Sequence, residues 1–257
     1  MRVRGLFAAR VDVFACLILS AGCGSSPEHL TVLSGGAAQP VLEMLGPKFQ
    51  HDTGVRIDMT FSVVGAIPGL VTAGNDDLLI APTAVIDQVD GTTFHAAGRT
   101  VIGHVPVGVV VRSGAAAPDI TSADSVRQML LNATSIAIPD PAQTPTGKFL
   151  MGMFTSLGIS ATVVPKTTLK NAIDGGIDLV RDGQVQIGMY LVSEILEEQN
   201  ITFVGKLPTQ GNVVYGSAVS ADRSPATQSN ATRFVEFLNQ PGNASVWTTA
   251  GFEATAM

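Results

Sequence analysis

The sequence predicts a two-lobed α/β protein, and three observations carry that prediction. Strand-like and helix-like segments alternate from Leu30 to Val89. The alternation resumes at Ser122 and runs to Leu191. Two long, β-branched, helix-poor runs, Thr100–Arg112 and Asn212–Val219, join the two sets. Alternating β and α segments argue for parallel strands covered by helices, so the runs between the sets read as crossings from one lobe to the other.

The first set opens with Leu30–Leu33, a short apolar run that reads as a buried strand. Ser34–Ala38 carries no bulk, so a ligand can approach its backbone closely. Pro40 suits the first turn of a helix, where its missing N–H costs nothing. Val41, Leu42, Leu45 and Phe49 then recur at helical spacing. Gly54 stands where a helix C-cap belongs, and Pro47 is expected to kink or divide the helix. Val55–Phe61 alternates with period two and reads as a strand. Ser62–Ala66 is a second small loop, and Ile67–Ala73 a short helix ending at Gly74. Asp77–Ala81 is a buried strand. Thr83 is expected to cap a helix holding Val85, Ile86 and Val89.

Thr100–Arg112 leaves this lobe, and Gly114–Pro118 is a surface linker. Ser122 caps a helix with Val126, Met129 and Leu130. Ser135–Pro139 is a strand and Asp140–Gly147 a polar loop. Lys148–Leu157 follows as a helix with Phe149, Leu150, Met153, Phe154 and Leu157 inward. Ala161–Pro165 is expected as a strand and Leu169–Arg181 as a helix with a weak Gly175–Gly176 step. Val185–Leu191 is a strand, and Ser193 begins a short acidic helix. Ile201–Leu207 and Asn212–Val219 are extended, and the second returns the chain to the first lobe. Pro225 starts a helix with Phe234, Val235, Phe237 and Leu238. Pro241–Gly242 breaks it, and a last helix holds Val246 and Trp247.

Composition narrows the function. The chain has 257 residues, 46% of them hydrophobic and only 14% charged, which suits a packed protein and not a disordered one. The formal net charge is −6, and no basic stripe occurs, so nucleic acid is excluded as a partner. At the N-terminus, Arg2, Arg4 and Arg10 form a basic region ahead of the apolar Val13–Leu19, and Ser20-Ala21-Gly22 supplies small residues for cleavage. The apolar run is too short to span a membrane. Leu19-Ser20-Ala21-Gly22-Cys23 resembles a bacterial lipoprotein signal, with Cys23 the residue to be lipidated and Gly24–Pro27 the start of a polar tether. Removal of residues 1–22 would leave 12 basic and 20 acidic residues, a net charge of −8. An anionic ligand would then be held by local dipoles, not by the global field. Only Cys23 would remain as a cysteine, which excludes a disulfide within the chain and a cysteine metal site.

The order of elements resembles the class II (type 2) solute-binding proteins of ABC importers, above all their molybdate-binding branch. Leu30–Leu33 with Ala37-Ala38 resembles that branch's opening strand and loop. Phe49 to Gly54, with Val55–Phe61, resembles its first helix end and second strand. Val71–Ile80 resembles its "AG…ADL-I-A" element, Val185–Gly188 its late strand, and Phe234–Leu238, Ala244 and Ala250–Phe252 its closing "F…FL…A…GF" signature. The likeness covers nearly all of the chain after the leader. It implies the type 2 periplasmic-binding-protein fold, each lobe a mixed, mostly parallel sheet flanked by helices. Residues 1–22 are then the leader, 23–29 the tether, 30–111 with 208–257 the first lobe, and 112–207 the second. The resemblance also implies a monomer that binds a small anion without cofactor or metal. Its partners would be ABC permease and ATPase subunits, with the membrane reached through the lipid anchor.

The expected site is the cleft between the lobes. Ser34, Gly35, Gly36, Ala37, Ser62, Gly65 and Thr83 come from the first lobe, and Thr146, Gly147 and Tyr190 from the second. Hydroxyls and helix-start N–H groups would hold an anion without a full positive charge. Each also has a plainer reading: Ser62 and Thr83 as helix caps, Thr146 and Gly147 as a helix-start turn, Tyr190 as a core residue. The family's oxyanion ligands carry over incompletely. Ala37 stands where its first loop offers a serine, Ser62-Val63-Val64-Gly65 keeps one hydroxyl, and its tyrosine falls near Leu191, one residue from Tyr190. A one-residue offset on a strand turns a side chain to the other face. These departures favour a larger organic anion, such as a carboxylate, over molybdate.

No Gly-x-Ser-x-Gly elbow, His-Glu-x-x-His pair or P-loop occurs. His29, His51, His95 and His104 are scattered, and nothing poises a nucleophile beside a base. The chain therefore reads as a binding protein and not an enzyme. An exported α/β enzyme, or a sensor or adhesin with the same fold, are the alternatives.

Overall fold

The structure, a computed structural model, describes residues 28–95, 98–208 and 212–253. The leader, Cys23 and the tether through Pro27 lie outside the described residues.

The first set runs β1 (His29–Gly35), α1 (Gln39–Thr53), β2 (Arg56–Ser62), α2 (Ile67–Ala73), β3 (Leu78–Pro82) and α3 (Thr83–Ile86). The 13-residue strand β4 (Thr100–Arg112) follows. The second set runs α4 (Ala123–Asn132), β5 (Ile136–Ile138), α5 (Pro145–Ser156), α6 (Ser160–Val163), β6 (Thr167–Leu169), α7 (Gly176–Arg181), β7 (Ile187–Leu191), α8 (Val192–Leu196) and β8 (Ile201–Lys206). The chain closes with β9 (Asn212–Val219), α9 (Pro225–Leu238) and α10 (Ala244–Thr249).

The strands form one path, β2-β1-β3-β9-β4-β7-β5-β6, with β8 also on β4. The outer pairs are parallel: β1 with β2 and β3, and β5 with β6 and β7. The central pairs are antiparallel: β9 with β3 and β4, and β4 with β7 and β8. Strand β4 pairs with β9 over Thr100–Pro106 and with β7 over Val107–Val111. The partner therefore changes between Pro106 and Val107, inside the span that the sequence division gives to the first lobe. Pro106 has no N–H to donate, so it suits a position where one ladder ends.

Period-two alternation builds the core. Leu78 and Ile80 of β3 face α1 and α9, while Leu79 and Ala81 face α2 and α3. On the second sheet Val109 and Val111 face α4 and α5, while Val110 faces α7. Phe49 is almost fully buried. Its ring lies 5.0 Å from that of Phe234 and 5.4 Å from that of Phe237, which locks α1 to α9.

Away from the site, the structure departs from the sequence expectations at four places. Helix α1 is not divided at Pro47. Glu43 and Pro47 lie on its exposed face, where water can satisfy the carbonyl that the missing N–H leaves free. Thr83 caps nothing: it is the first residue of α3, and the N-cap position belongs to Pro82. Residues 161–165 are helical, and the strand comes two residues later, at Thr167–Leu169, where β5 supplies a partner. The expected helix Leu169–Arg181 is reduced to α7, because Gly175 adopts φ +84°, a left-handed conformation that interrupts a right-handed helix.

Phe49→Ala removes the ring that joins α1 to α9. It is expected to lower unfolding free energy by about 3–5 kcal/mol, read from the midpoint of urea denaturation at unchanged m-value.

Candidate functional site

Two sets of three parallel strands point their C-terminal ends at one place. The loops after β1, β2, β3, β5, β6 and β7 all reach a small cavity of about 30 Å³. Gly36 follows β1, Ser62–Val64 end β2, and Pro82 ends β3. Pro139 and Thr144 follow β5, Asn171–Ile173 follow β6, and Leu191 and Glu194 span the β7–α8 junction. Tyr215 of β9 and the first turn of α5, Pro145 and Thr146, complete the wall. Ligands in open α/β sheets collect at such crests of carboxyl ends.

Small residues let the two halves meet around the cavity. A Cβ at Gly65 would lie 2.6 Å from the Gln143 carbonyl oxygen, so only glycine permits this approach. A Cβ at Gly36 would meet only Ile173 Cδ1, at 3.8 Å. Helix α8 packs on the Gly36–Ala38 turn.

Of the residues the sequence nominates, Gly36, Ser62 and Thr146 line the cavity. Gly35 and Ala37 stand behind it, against Tyr215: a Cβ at Gly35 would lie 3.0 Å from the Tyr215 hydroxyl, and the Ala37 N–H points at that oxygen. Ser34 is fully buried and donates to the Gly35 carbonyl at 3.1 Å. Gly65 forms the contact with Gln143. Thr83 lies in a neighbouring hollow with Phe149 and Asn212, on the far side of Pro82 and Pro145.

Helix α5 begins three residues before the expected start, so Thr146 and Gly147 occupy its first turn. The Gly147 N–H is taken by the Thr144 hydroxyl at 3.0 Å. A Cβ on Gly147 would press on the Pro139 carbonyl and stand 2.6 Å from Pro141 N. Gly147 thus fixes the Pro139–Pro141 loop and does not reach the cavity itself.

Tyr190 is fully buried, and its hydroxyl donates to the Lys170 carbonyl at 3.1 Å. It packs with Ile177, Val180 and Ile195, on the face of β7 opposite Leu191. Leu191 lines the cavity and Tyr190 does not. Tyr190 instead anchors the loop that carries Asn171. Asn171 is itself a tie: its Oδ1 accepts from Asp140 N, and its Nδ2 donates to Gln143 Oε1 and Asp174 Oδ2, each at 3.0 Å.

Tyr215, Asn171 and Glu194 were missed by sequence reasoning. Tyr215 is 1% exposed, and burial together with the Glu194 charge raises its hydroxyl pKa. Glu194 is half-buried and lines the cavity. Burial pushes its carboxyl up to about 7, against the opposing pull of the Leu191 N–H, which donates to Oε2 at 3.2 Å. None of the described residues lining the cavity is Lys, Arg or His; Lys148 and Arg112 are exposed. Among the described residues no group of three or more His, Cys, Asp or Glu could hold a metal ion.

This geometry offers an anion neutral donors and one carboxyl. An ionised Glu194 placed 4 Å from a ligand charge would cost about 4 kcal/mol at an effective dielectric constant of 20. A proton held on a group that titrates near neutrality costs far less.

The family model for bacterial extracellular solute-binding proteins matches residues 30–253. The chain belongs to that family. Within this solute-binding family it falls in the type 2, molybdate-binding-like branch. It is 27% identical over 207 residues to an aconitate isomerase from a Pseudomonas species, covering 76% of this chain and 78% of that one. It is 24% identical over 230 residues to the molybdate-binding protein of Escherichia coli (strain K12), covering 87% and 88%. The solved periplasmic molybdate-binding protein of Azotobacter vinelandii superposes with a TM-score of 0.70 at 17% identity, covering 88% of this chain and 99% of that one. The two-lobed α/β fold expected from the sequence is thus the fold of this solute-binding protein.

The two glycines of the site separate packing from lining. Gly147→Ala is expected to cost about 1–3 kcal/mol through overpacking against backbone. Gly36→Ala, which meets one methyl at ordinary distance, is expected to change stability by under about 1 kcal/mol. Urea titrations of the two variants check the contrast.

Proposed function

We propose that this solute-binding protein is an exported lipoprotein that captures a small anion between its lobes and delivers it to an ABC permease. The single observation that carries the reading is the cavity itself, walled by the C-terminal ends of two sets of three parallel strands and by hydroxyls in place of cations. We assign the lobes as residues 30–111 with 208–257 and residues 112–207, with the hinge in the two crossings, β4 and β9. Hinge closure over ligand is the standard response of such two-lobed proteins. ATP hydrolysis by a separate subunit would drive release, so this chain would do no chemistry and would act as a monomer. Lipidation at Cys23 would hold it at the membrane.

The ligand we favour is an organic carboxylate. Ala37 and Leu191 stand where the molybdate-binding branch places hydroxyls, which removes two donors from a bare tetrahedral oxyanion. The similarity to an aconitate isomerase supports an unsaturated carboxylate as the class.

That similarity also favours a second reading. Moving a double bond within an unsaturated carboxylate requires one proton to leave a carbon and another to arrive. Glu194 lines the cavity and titrates near neutrality, which is the range a general acid–base group needs. In this reading the chain is an exported isomerase on a solute-binding scaffold.

Thermal unfolding of the protein lacking its leader tests the first reading against molybdate, tungstate, sulfate, phosphate, aconitate and citrate. A carboxylate at about 100-fold over its Kd is expected to add roughly 2.7 kcal/mol, a shift of a few degrees. A shift with molybdate and tungstate alone would move the ligand to oxyanions, and no shift with any would remove the capture reading. Chromatography of the same aconitate samples separates the two readings. An unchanged isomer ratio is expected of a binder, and a drifting ratio of an isomerase.

A further inference from the structure

Glu194 is the one acidic side chain on the wall of a cavity that holds no cation among its described lining residues. Its Oε2 accepts the Leu191 N–H at 3.2 Å, the only hydrogen bond to this carboxyl among the described residues. That bond completes the first turn of α8 and uses one of the two oxygens. Of the elements packed on α8, the Gly36–Ala38 turn has no titratable side chain, β4 approaches α8 closely at Gly108, and β8 meets it through Phe203. The Gly251 turn also packs on Val192 and Ser193, and the Glu253 that follows it is paired with Lys206 at 2.9 Å. The titratable groups facing Glu194 are Tyr190 of β7 and Tyr215 of β9, both neutral acids whose hydroxyls are raised further by its charge. Glu197 and Glu198, on its own segment, lie beyond the end of α8, and Glu198 pairs with Arg181 at 2.6 Å.

We propose that Glu194 couples anion capture to a proton: the cavity accepts its ligand only with Glu194 as the neutral acid, which donates a hydrogen bond to it. The inference rests on the capture reading above. Two negative charges side by side in a cavity with no cation among its described lining residues repel each other, so either the ligand or water supplies one proton as the lobes close. Burial already holds the carboxyl poised near neutrality, so the proton is available at modest acidity. Glu194 is therefore a specificity residue as well. It discriminates against fully ionised ligands at alkaline pH and favours anions that bring a proton of their own, as a hydroxyl or a half-ionised acid.

Calorimetric titration of sulfate, molybdate and aconitate at pH 6 and pH 8, in buffers of differing ionisation enthalpy, tests this. The wild-type protein is expected to bind about tenfold more weakly at pH 8 than at pH 6, and to take up close to one proton per ligand at pH 8. E194Q mimics the neutral acid and keeps an acceptor for the Leu191 N–H. It is expected to bind with the same affinity at both pH values and with no proton uptake. The comparison of the two proteins cancels the titration of the ligand itself, and the proton count needs no variant. Wild-type affinity equal at both pH values, with no uptake of protons, overturns the proton coupling and leaves capture standing. No binding of any of the three anions by either protein overturns capture and the coupling together.

Discussion

The structure depends on one strand serving two sheets. β4 is 13 residues long, which at about 3.3 Å per residue spans roughly 40 Å. Its first half completes the ladder with β9, and its second half carries β7 and β8. Among the described residues, neither sheet has another strand that both enters it and continues into its neighbour. The antiparallel pairing around β4 also sets the direction of everything outside it. The parallel strands β1, β2 and β3 on one side, and β5, β6 and β7 on the other, end facing each other. The cavity is the space between those two rows of ends. Its position follows from topology before any particular side chain is considered.

What fills the wall then decides the chemistry. Glycine at 65 lets the backbones close, while Asn171 and Tyr190 hold the loops that carry the second half of the wall. The wall offers hydroxyls, backbone amides near helix starts, and Glu194. Neutral donors bind an anion without the long flexible side chains that a Lys or Arg would bring. The cost of this design is that the one carboxyl cannot be ignored. A buried charge without a partner is more expensive than a proton transfer near its own pKa. On the proposed coupling, the electrostatic state of the site is set by solvent acidity and by the ligand, and not by a fixed ion pair.

Much of the fold was legible because the signals were local. Apolar runs of four or five residues separated by small loops marked β1, β3, β5 and β7, and the heptad-like apolar stripe from Val41 to Phe49 marked α1. Thr100–Arg112 was legible as a single extended run because its β-branched content leaves no helical alternative. The errors lie where tertiary partners override local preference. Val163 and Val164 favour a strand by propensity, yet the place beside β5 is taken by Thr167–Leu169, and a three-residue edge strand has too little length to show a period. Gly175 looked like a weak step in a helix, but its left-handed φ makes it the break. In the site, Gly36, Ser62 and Thr146 were legible as small or hydroxyl residues at strand ends. Tyr215 and Glu194 were not. Tyr215 sits in an apolar strand whose facing side only the sheet register reveals, and Glu194 sits in a segment rich in Glu that reads as surface. A signal for Glu194 was present: it is flanked by Val192 and Ile195, both buried, which leaves an acidic side chain little room to reach open solvent.

The central claim is that the ligand enters and leaves by separation of the two halves at this cavity. The direct test is a disulfide across the mouth, from G36C with I173C, where a Cβ at 36 would lie 3.8 Å from Ile173 Cδ1 and meet nothing else within 4 Å, so the two side chains face each other without a backbone clash. Binding of an anion that stabilises the reduced double variant is measured before and after oxidation. The account predicts that the oxidised form neither takes up the anion nor gains stability from it, and that reduction restores both. Equal uptake by the oxidised and reduced forms would contradict it, because the ligand would then reach a site that this closure does not control.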